Sequence, residues 1–353
     1  MLLATAMVAR AFDFSAVAPS GQTLYFNITP AGTAEVVAPS DNWMSHTAPA
    51  GRLVLPSTVT YGGTTYSVTA VANNAFRGCT GLTAVEVPGS IATIGYTAFF
   101  QCTALTSARL AEGVAELGRM AFAACGALDT IEVPHSLRQI GISAFHGTAY
   151  VAEPSHWTDS VLYIGPYAIE VSSTVVGPVR VAEGTIGLGT AAFNYCHYMH
   201  QAVLPSSLLF VGHLAFNDCE VLDTVRLLAT VPPTLADDAF NVEPRPVVVV
   251  PCGSLQAYAA APQWNLLTLV EDTCGTQGIA GTEAAHADAV AVNGGIEVRG
   301  AEGCPVAVHD VMGRCLYATN AAREVLFVPV GAEGVYVVTV GGQRPYKVLA
   351  GLK

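Results

Sequence analysis

The feature that most constrains the fold of this chain is an Ala-Phe pair that returns at a regular spacing. It occurs as Ala75-Phe76, Ala98-Phe99, Ala121-Phe122, Ala144-Phe145, Ala192-Phe193, Ala215-Phe216 and Ala239-Phe240. The first four copies are evenly spaced, the same spacing separates the fifth from the sixth, and the last comes one position later than that spacing predicts. A unit of this size is too small to bury its own apolar face and does so against its neighbours. The sequence therefore predicts a solenoid, and function becomes a question about the solenoid's surface.

Each copy carries the same apolar framework. Three residues after each of five Phe residues comes a Cys: Cys79, Cys102, Cys125, Cys196 and Cys219. A Leu or Met follows three residues later, and then an alternating pair such as Val85 and Val87. This alternation predicts a strand with its apolar side chains facing in. An apolar-Gly pair before each Ala-Phe, such as Ile94-Gly95, predicts a short strand and turn on the opposite side of the coil.

The order Ile-Gly-x-x-Ala-Phe-x-x-Cys-x-x-Leu-x-x-Val-x-Val-Pro resembles the BspA-like leucine-rich repeat of bacterial surface proteins. The resemblance covers Tyr61 to Asp272, with six recognisable copies and one degraded copy. It implies a mainly β leucine-rich-repeat solenoid with N- and C-terminal caps. It also implies adhesion through a host or bacterial surface protein or a glycan, although one repeat scaffold serves many partners.

The caps are predicted on either side of the repeats, which we place at residues 71–272. Residues 12–70 form the N-terminal capping segment, where Leu53 to Pro56 and Val59 to Tyr66 predict a hairpin with a Gly-Gly turn. Residues 241–272 form the C-terminal cap. There we expect a strand from Pro246 to Pro251, a short helix from Ser254 to Ala261, and Trp264 covering the last coil.

The period fails between the fourth and fifth Ala-Phe pairs, because the interval from Ala144 to Ala192 is slightly longer than two regular units. The irregular part is an insert at residues 150–179, in which Val161 to Ile169 suggests a hairpin. A break in an even stack is a usual place for a protruding loop, and His156-Trp157 is a candidate contact site there. A purely structural role for that pair is the alternative.

A different pattern follows the repeats. Residues 273–290 are rich in Gly, Ala and Thr and predict a linker, and residues 291–353 contain short strands that predict a small antiparallel β-sandwich. Val311-Met312-Gly313-Arg314 and Gly334 to Val338 resemble the C-terminal sorting domain of type IX secretion cargo, which implies contact with export machinery. A plain accessory sandwich is the alternative. Cys252 and Cys274 are a candidate disulfide, and the pairing of Cys304 and Cys315 is left open.

Composition argues against a nucleic-acid partner, and the first residues indicate export. Only 12% of residues are charged, the net charge is −12, and no basic patch of the kind that nucleic acid requires is visible. No run is long enough to span a bilayer. We interpret residues 1–11 as the remnant of a secretory signal with a cleavage site at Ala9-Arg10-Ala11, a buried first strand being the alternative. Such a signal, together with the resemblance to bacterial surface proteins, implies that the protein is secreted or displayed on the outer surface of a bacterium.

The motifs that could indicate nucleotide or metal binding coincide with the repeat framework. Gly187 to Ala192 fits the dinucleotide fingerprint, yet it occupies framework positions of one unit and lacks the strand and long helix of that fold. Cys196 to His200 could suggest a metal site, but Cys196 and Met199 occupy buried framework positions. We therefore predict a non-catalytic protein without cofactor or metal. The competing hypothesis is a carbohydrate-processing enzyme that uses His156 and Asp159 of the insert as acid and base.

The strand face turned outward carries aligned charges. The aligned positions in successive coils are Glu86, Arg109, Glu132, Arg180, Val203 and Arg226. Neighbouring coils lie about 4.8 Å apart, so the first three positions bring opposite charges side by side. One interpretation is a solvated ladder whose pairs contribute roughly a few tenths of a kcal/mol each. The other is a recognition surface, which would include the residues beside the ladder: Asp129, His200, Gln201 and Asp223. A structural spacer for surface display is a third hypothesis.

Overall fold

The computed structural model describes residues 12–40 and 49–272 and, in the tail, 288–292, 295–301, 304–310, 315–319, 325–330, 334–340 and 346–350. The chain divides into two compact units, residues 1–273 and 274–353, which are described separately. The predicted signal remnant at 1–11 lies outside the described residues, as does most of the predicted linker at 273–290.

The first unit begins with an antiparallel meander that merges into the solenoid. Its strands are β1 (Phe14–Val17), β2 (Thr23–Ile28) and β3 (Ala34–Val37). A hairpin of β5 (Thr58–Tyr61) and β6 (Thr64–Val71) turns at Gly62-Gly63, where both glycines have positive φ, as a two-residue hairpin turn requires. Because β3 pairs in parallel with β6, the meander joins the sheet of the first coils. The predicted Gly-Gly turn is confirmed. Leu53 and Val54, however, are not part of this hairpin, because residues 51–54 form a solenoid strand that pairs in parallel with residues 82–86.

Each regular coil contributes one long and one short strand to two parallel sheets. In the first block of coils the long strands are β4 (Gly51–Val54), β7 (Leu82–Val87), β9 (Ser107–Leu110) and β11 (Thr130–Glu132). The short strands, which continue from β6, are β8 (Thr93–Ile94), β10 (Glu116–Leu117) and β12 (Gln139–Ile140). The predicted short strand at each apolar-Gly pair is therefore confirmed, and glycines such as Gly118 pack against the backbone of the preceding coil too closely for a Cβ.

A second block repeats this arrangement. Its long strands are β16 (Pro178–Arg180), β18 (Gln201–Leu204), β20 (Thr224–Leu227), β22 (Val247–Val250) and β23 (Leu269–Glu271). Its short strands are β17 (Gly187–Leu188), β19 (Phe210–Val211) and β21 (Thr234–Leu235). The long strands of the two blocks belong to separate sheets, and the buried apolar residues form two separate clusters.

The Ala-Phe turns close the third side of each coil. Phe76, Phe99, Phe122 and Phe145 stack with ring centroids 4.9, 4.9 and 5.6 Å apart, and a second stack joins Phe193, Phe216 and Phe240 at 4.7 and 4.9 Å. The five framework cysteines are buried thiols, as predicted. The Sγ atoms of Cys102, Cys125 and Cys219 donate to Phe carbonyls at 3.2, 3.1 and 2.9 Å. Burial raises the pKa of Cys79 to about 12, so this thiol is inert at neutral pH.

The insert separates the two blocks. It contains α1 (Ala149–Ala152), a 3₁₀ turn (Pro154–His156) and the strands β13 (Trp157–Thr158), β14 (Val161–Ile164) and β15 (Tyr167–Val171). The predicted hairpin is present, but the expectation of a protruding loop is wrong for it. β15 pairs in parallel with β17, and Tyr167 is fully buried with its hydroxyl donating to Pro134 O at 2.8 Å. The hairpin therefore extends the short-strand sheet of the second block.

The C-terminal cap has the predicted strand, β22, and the predicted short helix, α2 (Leu255–Ala260). Trp264 opens a 3₁₀ turn and is fully buried against Phe240 and Tyr258, with Nε1 donating to Pro233 O at 2.7 Å. It covers the last coil as expected. Cys252 is not among the free thiols, but Cys274 lies outside the described residues, so the predicted disulfide stays a prediction.

The second unit consists of two antiparallel sheets that share one apolar core. One sheet holds β24 (Asp288–Val292), β25 (Gly295–Arg299) and β28 (Val325–Pro329). The other holds β26 (Val306–Asp310), β27 (Cys315–Thr319), β29 (Gly334–Val340) and β30 (Tyr346–Ala350). Buried residues of both sheets, including Val298, Val308 and Val338, form the core, which fits the predicted small sandwich. Strand β24 already begins within the segment predicted as linker.

Candidate binding surface

Four charged side chains of alternating sign cross the long-strand sheet of the first block. We call Arg52, Glu86, Arg109 and Glu132 the charge ladder. Cα register places Glu86 beside Arg109 and Arg109 beside Glu132. Arg109 Nε lies 3.1 Å from a Glu132 carboxylate oxygen, and Arg52 Nε donates to Glu86 Oε1 at 2.9 Å. The predicted Arg109–Glu132 pair is therefore confirmed, while Glu86 makes its ion pair with Arg52.

The ladder is open to solvent. The side chains of Arg52, Arg109 and Glu132 are 66, 70 and 62% exposed, and that of Glu86 is 34% exposed. Ion pairs at such exposure contribute only about 0.2–1 kcal/mol to stability. The ladder therefore does little to hold the fold and leaves its hydrogen-bonding groups available to a partner.

A groove of about 470 Å³ runs beside the ladder, across the carboxyl ends of the same four strands. We call it the ladder groove. Its lining combines ladder residues with apolar residues and prolines: Val54, Leu55, Glu86, Val87, Pro88, Arg109, Leu110, Ala111, Glu112, Glu132, Val133 and Pro134. The groove thus brings apolar residues and charges of both signs together on one surface.

Glu112 is held in place at this groove. Its Oε1 accepts from His135 N at 2.8 Å, and this hydrogen bond, with the nearby Ser136 and His135, holds the pKa of the carboxyl below its ordinary value. The same arrangement recurs in the second block, where Glu183 accepts from Ser206 N at 3.2 Å. The two sites correspond to the matching Ala-Glu-Gly segments of the sequence, so Glu112 has a structural role within the groove wall.

The second block does not continue the charge ladder. Cα register places Arg180, Val203 and Arg226 side by side, as the sequence alignment predicts. Val203 is only 7% exposed, although the alignment places it on the outer face. It lies between two arginines whose long side chains can cover it. Arg226 forms an ion pair with Asp272 of the C-terminal cap, so its charge is already partnered within the chain.

The other predicted ladder neighbours fall into two groups. Asp129 is exposed at the start of β11 and accepts from Thr130 Oγ1 at 2.9 Å, so it lies beside the charge ladder. His200 and Asp223 are exposed, and Gln201 half-buried, at the starts of β18 and β20. Because the long strands form two sheets, the structure does not bring these three onto the sheet of Asp129.

His156 and Trp157 lie at the other sheet, the one formed by short strands and the insert. His156 Nδ1 lies 2.8 Å from Tyr150 O, and its ring stacks on Tyr150 with centroids 3.7 Å apart. Trp157 Nε1 donates to Val151 O at 2.9 Å. Both side chains therefore contact the backbone of α1 and stabilise the insert. Asp159, the other candidate acid–base group, is exposed three residues after His156.

Two features of this surface escaped the sequence analysis. Arg52 completes the charge ladder, although the sequence pattern predicts a cap hairpin for its strand. The signal that identifies this strand is the similarity of Leu53-Val54-Leu55-Pro56 to Val85-Glu86-Val87-Pro88. His213, Asp237 and Asp238 also come together, with potential ligand atoms within 4.8 Å of one another. All three are exposed, and the 2.8 Å hydrogen bond between His213 Nδ1 and Asp238 Oδ1 accounts for their proximity.

The described part of the chain has no helix that combines the length and the apolar character needed to cross a bilayer.

Different family models match the two units of the chain. A model described as BspA type leucine-rich repeat region matches six copies within residues 60–176 and 186–243. A model described as a domain of unknown function, DUF6383, matches residues 279–350. No curated protein matches the chain. The resemblance of the tail to a type IX sorting domain therefore stays a prediction.

Solved structures of leucine-rich-repeat proteins are also similar. One from Bacteroides capillosus is 30% identical over 36% of this chain and 88% of that chain, with a TM-score of 0.31. The T. pallidum leucine-rich-repeat protein is 24% identical over 64% and 82%, also with a TM-score of 0.31. A leucine-rich cell surface protein from Faecalibacterium prausnitzii is 18% identical over 75% and 96%, with a TM-score of 0.26.

The spacing of the Ala-Phe turns, the paired long and short strands, the stacked rings and the six matched copies agree with one another. Residues 60–176 and 186–243 of this chain belong to the BspA type leucine-rich-repeat family.

Proposed function

We propose that this protein is a non-catalytic binding protein, secreted or displayed on a bacterial surface, that captures a protein partner through the charge ladder and the ladder groove. The family suggests a protein-binding or surface role, and solenoids commonly bind through the broad face of their strands. Adhesion to host or bacterial surface proteins is the form of that role that we favour.

The main support is that three charges of alternating sign, Glu86, Arg109 and Glu132, line a groove of about 470 Å³ together with apolar residues, while Arg52 pairs with Glu86 next to it. Exposed ion pairs of this kind add little to stability, whereas aligned charges beside apolar groups can set the register and specificity of a partner. The second block of the same solenoid lacks this combination, because Val203 interrupts the charges and Arg226 is engaged by Asp272.

The test is a capture assay against purified extracellular-matrix proteins and a glycan array. The decisive variant is Arg109→Glu with Glu132→Arg, which exchanges the two charges and keeps their ion pair. We expect it to weaken capture of a protein partner at least tenfold. Arg180→Glu is the matched control, since Arg180 occupies the aligned position of the second block, and it should leave capture unchanged.

Equal capture by the exchanged variant and the original protein would remove the charge ladder from the site. Capture of glycans alone would change the partner class. No capture at all, together with loss of surface display when the repeats are deleted, would favour the structural spacer.

We further propose that the tail unit, residues 291–353, directs export. Support comes from its resemblance to sorting domains and from the sandwich of β24–β30, which is a separate compact unit. Deleting residues 291–353 should leave the repeat unit inside the cell in fractionation experiments. A predicted Cys252–Cys274 disulfide suits an oxidising destination, and peptide mapping with and without reduction would test it.

A further inference from the structure

One coil of the solenoid lacks its Ala-Phe turn. Cα register aligns Ala168 of β15 with Leu188 of β17, and Pro178 of β16 with Gln201 of β18. Residues 169–177 separate Ala168 from Pro178 in the insert coil, whereas the longer segment 189–200 separates the aligned Leu188 from Gln201 in the next coil. The shorter connection has no room for the turn. The Phe stack accordingly stops at Phe145 and resumes at Phe193.

A cavity of about 270 Å³ lies where that turn would be. One wall is the Ala-Phe turn before the insert, residues 141–146, and the opposite wall is the turn after it, residues 189–192 with Asn194 and Tyr195. Residues of the insert, including Val151, Ile169 and Glu170, line the rest. We call this cavity the turn gap. It lies at the Ala-Phe turns, whereas the charge ladder lies on the long strands.

The first wall presents backbone donors. In the regular coils every second amide of a turn donates to the next coil: the amides of Met120, Phe122 and Ala124 donate to the carbonyls of Ile142, Ala144 and His146 at 3.1, 2.8 and 2.7 Å. The equivalent amides one coil later are those of Ser143, Phe145 and Gly147. Within the described residues these three N–H groups have no hydrogen-bond partner. Ser143 and Phe145 line the turn gap, and Gly147 continues the row.

The opposite wall presents acceptors. One coil later, the carbonyls of His213, Ala215 and Asn217 accept from the preceding turn at 2.8, 2.8 and 3.1 Å. Their equivalents at the turn gap are the carbonyls of Thr190, Ala192 and Asn194. Ala192 O accepts from Val171 N at 2.7 Å, while the other two have no donor within the described part of the chain.

A side-chain ladder ends at the same place. Asn241 Nδ2 donates to Asn217 Oδ1 at 2.6 Å, and Asn217 Nδ2 donates to Asn194 Oδ1 at 2.8 Å. Asn194 lines the turn gap, and its own Nδ2 has no acceptor among the described residues. The wall therefore offers one amide donor in addition to its carbonyl acceptors.

We propose that the turn gap binds a short extended peptide segment of a partner protein, whose backbone takes the place of the missing turn. Free donors at every second residue on the first wall match one edge of an extended backbone, and the free carbonyls of Thr190 and Asn194 on the opposite wall can accept from its other edge, on either side of the bond that Val171 N makes to Ala192 O. A free anion is disfavoured, because it would meet two carbonyl oxygens and the Glu170 side chain. Ala144 and Ala192 line the turn gap with small, nearly fully buried side chains, so a peptide with small side chains suits it. This site goes beyond the proposed function of the charge ladder.

The probe is an acetylated and amidated peptide, Ala-Ser-Ala-Ser-Ala, titrated into the ¹⁵N-labelled full chain and followed by amide NMR. We expect the resonances of Ser143, Phe145 and Gly147 to shift with a common saturation curve, while those of Arg109 and Glu132 stay in place. The same peptide with alternate backbone nitrogens methylated should bind at least tenfold more weakly, because it lacks the donors that the carbonyls of Thr190 and Asn194 require.

A blocking variant provides the second arm. Ser173 lines the turn gap and is exposed, so Ser173→Phe should fill the cavity and abolish the shifts. Ser155→Phe is the control, since Ser155 is an exposed serine of the insert that does not line the cavity. Absence of shifts at millimolar peptide would overturn the proposal. Equal binding of the methylated peptide, or equal shifts caused by acetate or glucose, would overturn it as well.

Discussion

The two blocks of the solenoid share one interior and have different surfaces. In both blocks the Phe rings stack face to face, and buried Cys thiols donate to Phe carbonyls. On the outer face of the long strands, the first block carries paired charges beside a groove, whereas the second block carries the buried Val203 and an arginine engaged by the cap. The framework residues therefore determine the fold, and the positions between them are free to determine the partner.

Buried Phe rings should contribute equally to the stability of both blocks. Phe122→Ala and Phe216→Ala each remove a fully buried ring from the middle of a stack and should each cost about 3–5 kcal/mol of unfolding free energy. Urea unfolding followed by circular dichroism measures both. A cost below about 1 kcal/mol in one block would mean that the two interiors are not equivalent.

The junction between the blocks should be less sensitive than the interior. Tyr167 is buried in the insert hairpin, its hydroxyl donates to Pro134 O at 2.8 Å and to Leu137 O at 3.3 Å, and burial raises its pKa to about 12. Tyr167→Phe leaves those carbonyls without this donor and should cost about 1–3 kcal/mol. Tyr198→Phe, an exposed tyrosine of the second block, is the control and should cost nothing measurable in the same unfolding experiment.

The surface ion pairs should contribute still less to stability. Arg109→Ala breaks a pair with Glu132 that is largely exposed, so we expect a loss below about 0.5 kcal/mol. Arg226→Ala breaks a pair with Asp272 that is half-buried and joins the cap to the last coils, so its loss should be larger, up to about 1 kcal/mol. Thermal unfolding of the two variants in parallel gives the order, and the reverse order would contradict the view that the first-block ladder is free for a partner.

The smallest expected effect is a change in stability at low pH. The pKa of Glu112 is lower in the folded protein than its ordinary value, since the carboxylate accepts from His135 N. A lowered folded pKa contributes stability above the unfolded value, about 4.3, and this contribution is lost as pH falls through the folded pKa. Glu112→Gln should therefore lower the unfolding midpoint at about pH 7 slightly and lose that difference near about pH 3. A difference that persists unchanged at about pH 3 would contradict this origin.

Most of the fold can be predicted from the sequence because the repeat period is visible there. The Ala-Phe turns, the Cys ladder and the alternating strands all recur at one spacing, so each copy supports the others. Arg52 was missed because its strand precedes the first Ala-Phe pair, where no period marks it. The burial of Val203 depends on its neighbours across the sheet, which alignment within one coil does not describe.

The turn gap shows a different limit of sequence analysis. The long interval between Ala144 and Ala192 reveals that one coil is irregular, and Val161 to Ile169 reveals the hairpin. The shortened connection at 169–177 becomes visible only when the register aligns β15 with β17. The amides of Ser143 and Phe145 belong to a regular turn, so their missing partners are a property of the coil that follows.

We expect a partner to bind the first block of coils. Hydrogen–deuterium exchange of the full chain, with and without the protein partner selected in the capture assay, shows which strands the partner covers. We predict that binding slows exchange in β7, β9 and β11 and in the segments that line the ladder groove, and leaves β18, β20 and β22 unchanged. Slower exchange confined to β18, β20 and β22 would contradict the claim.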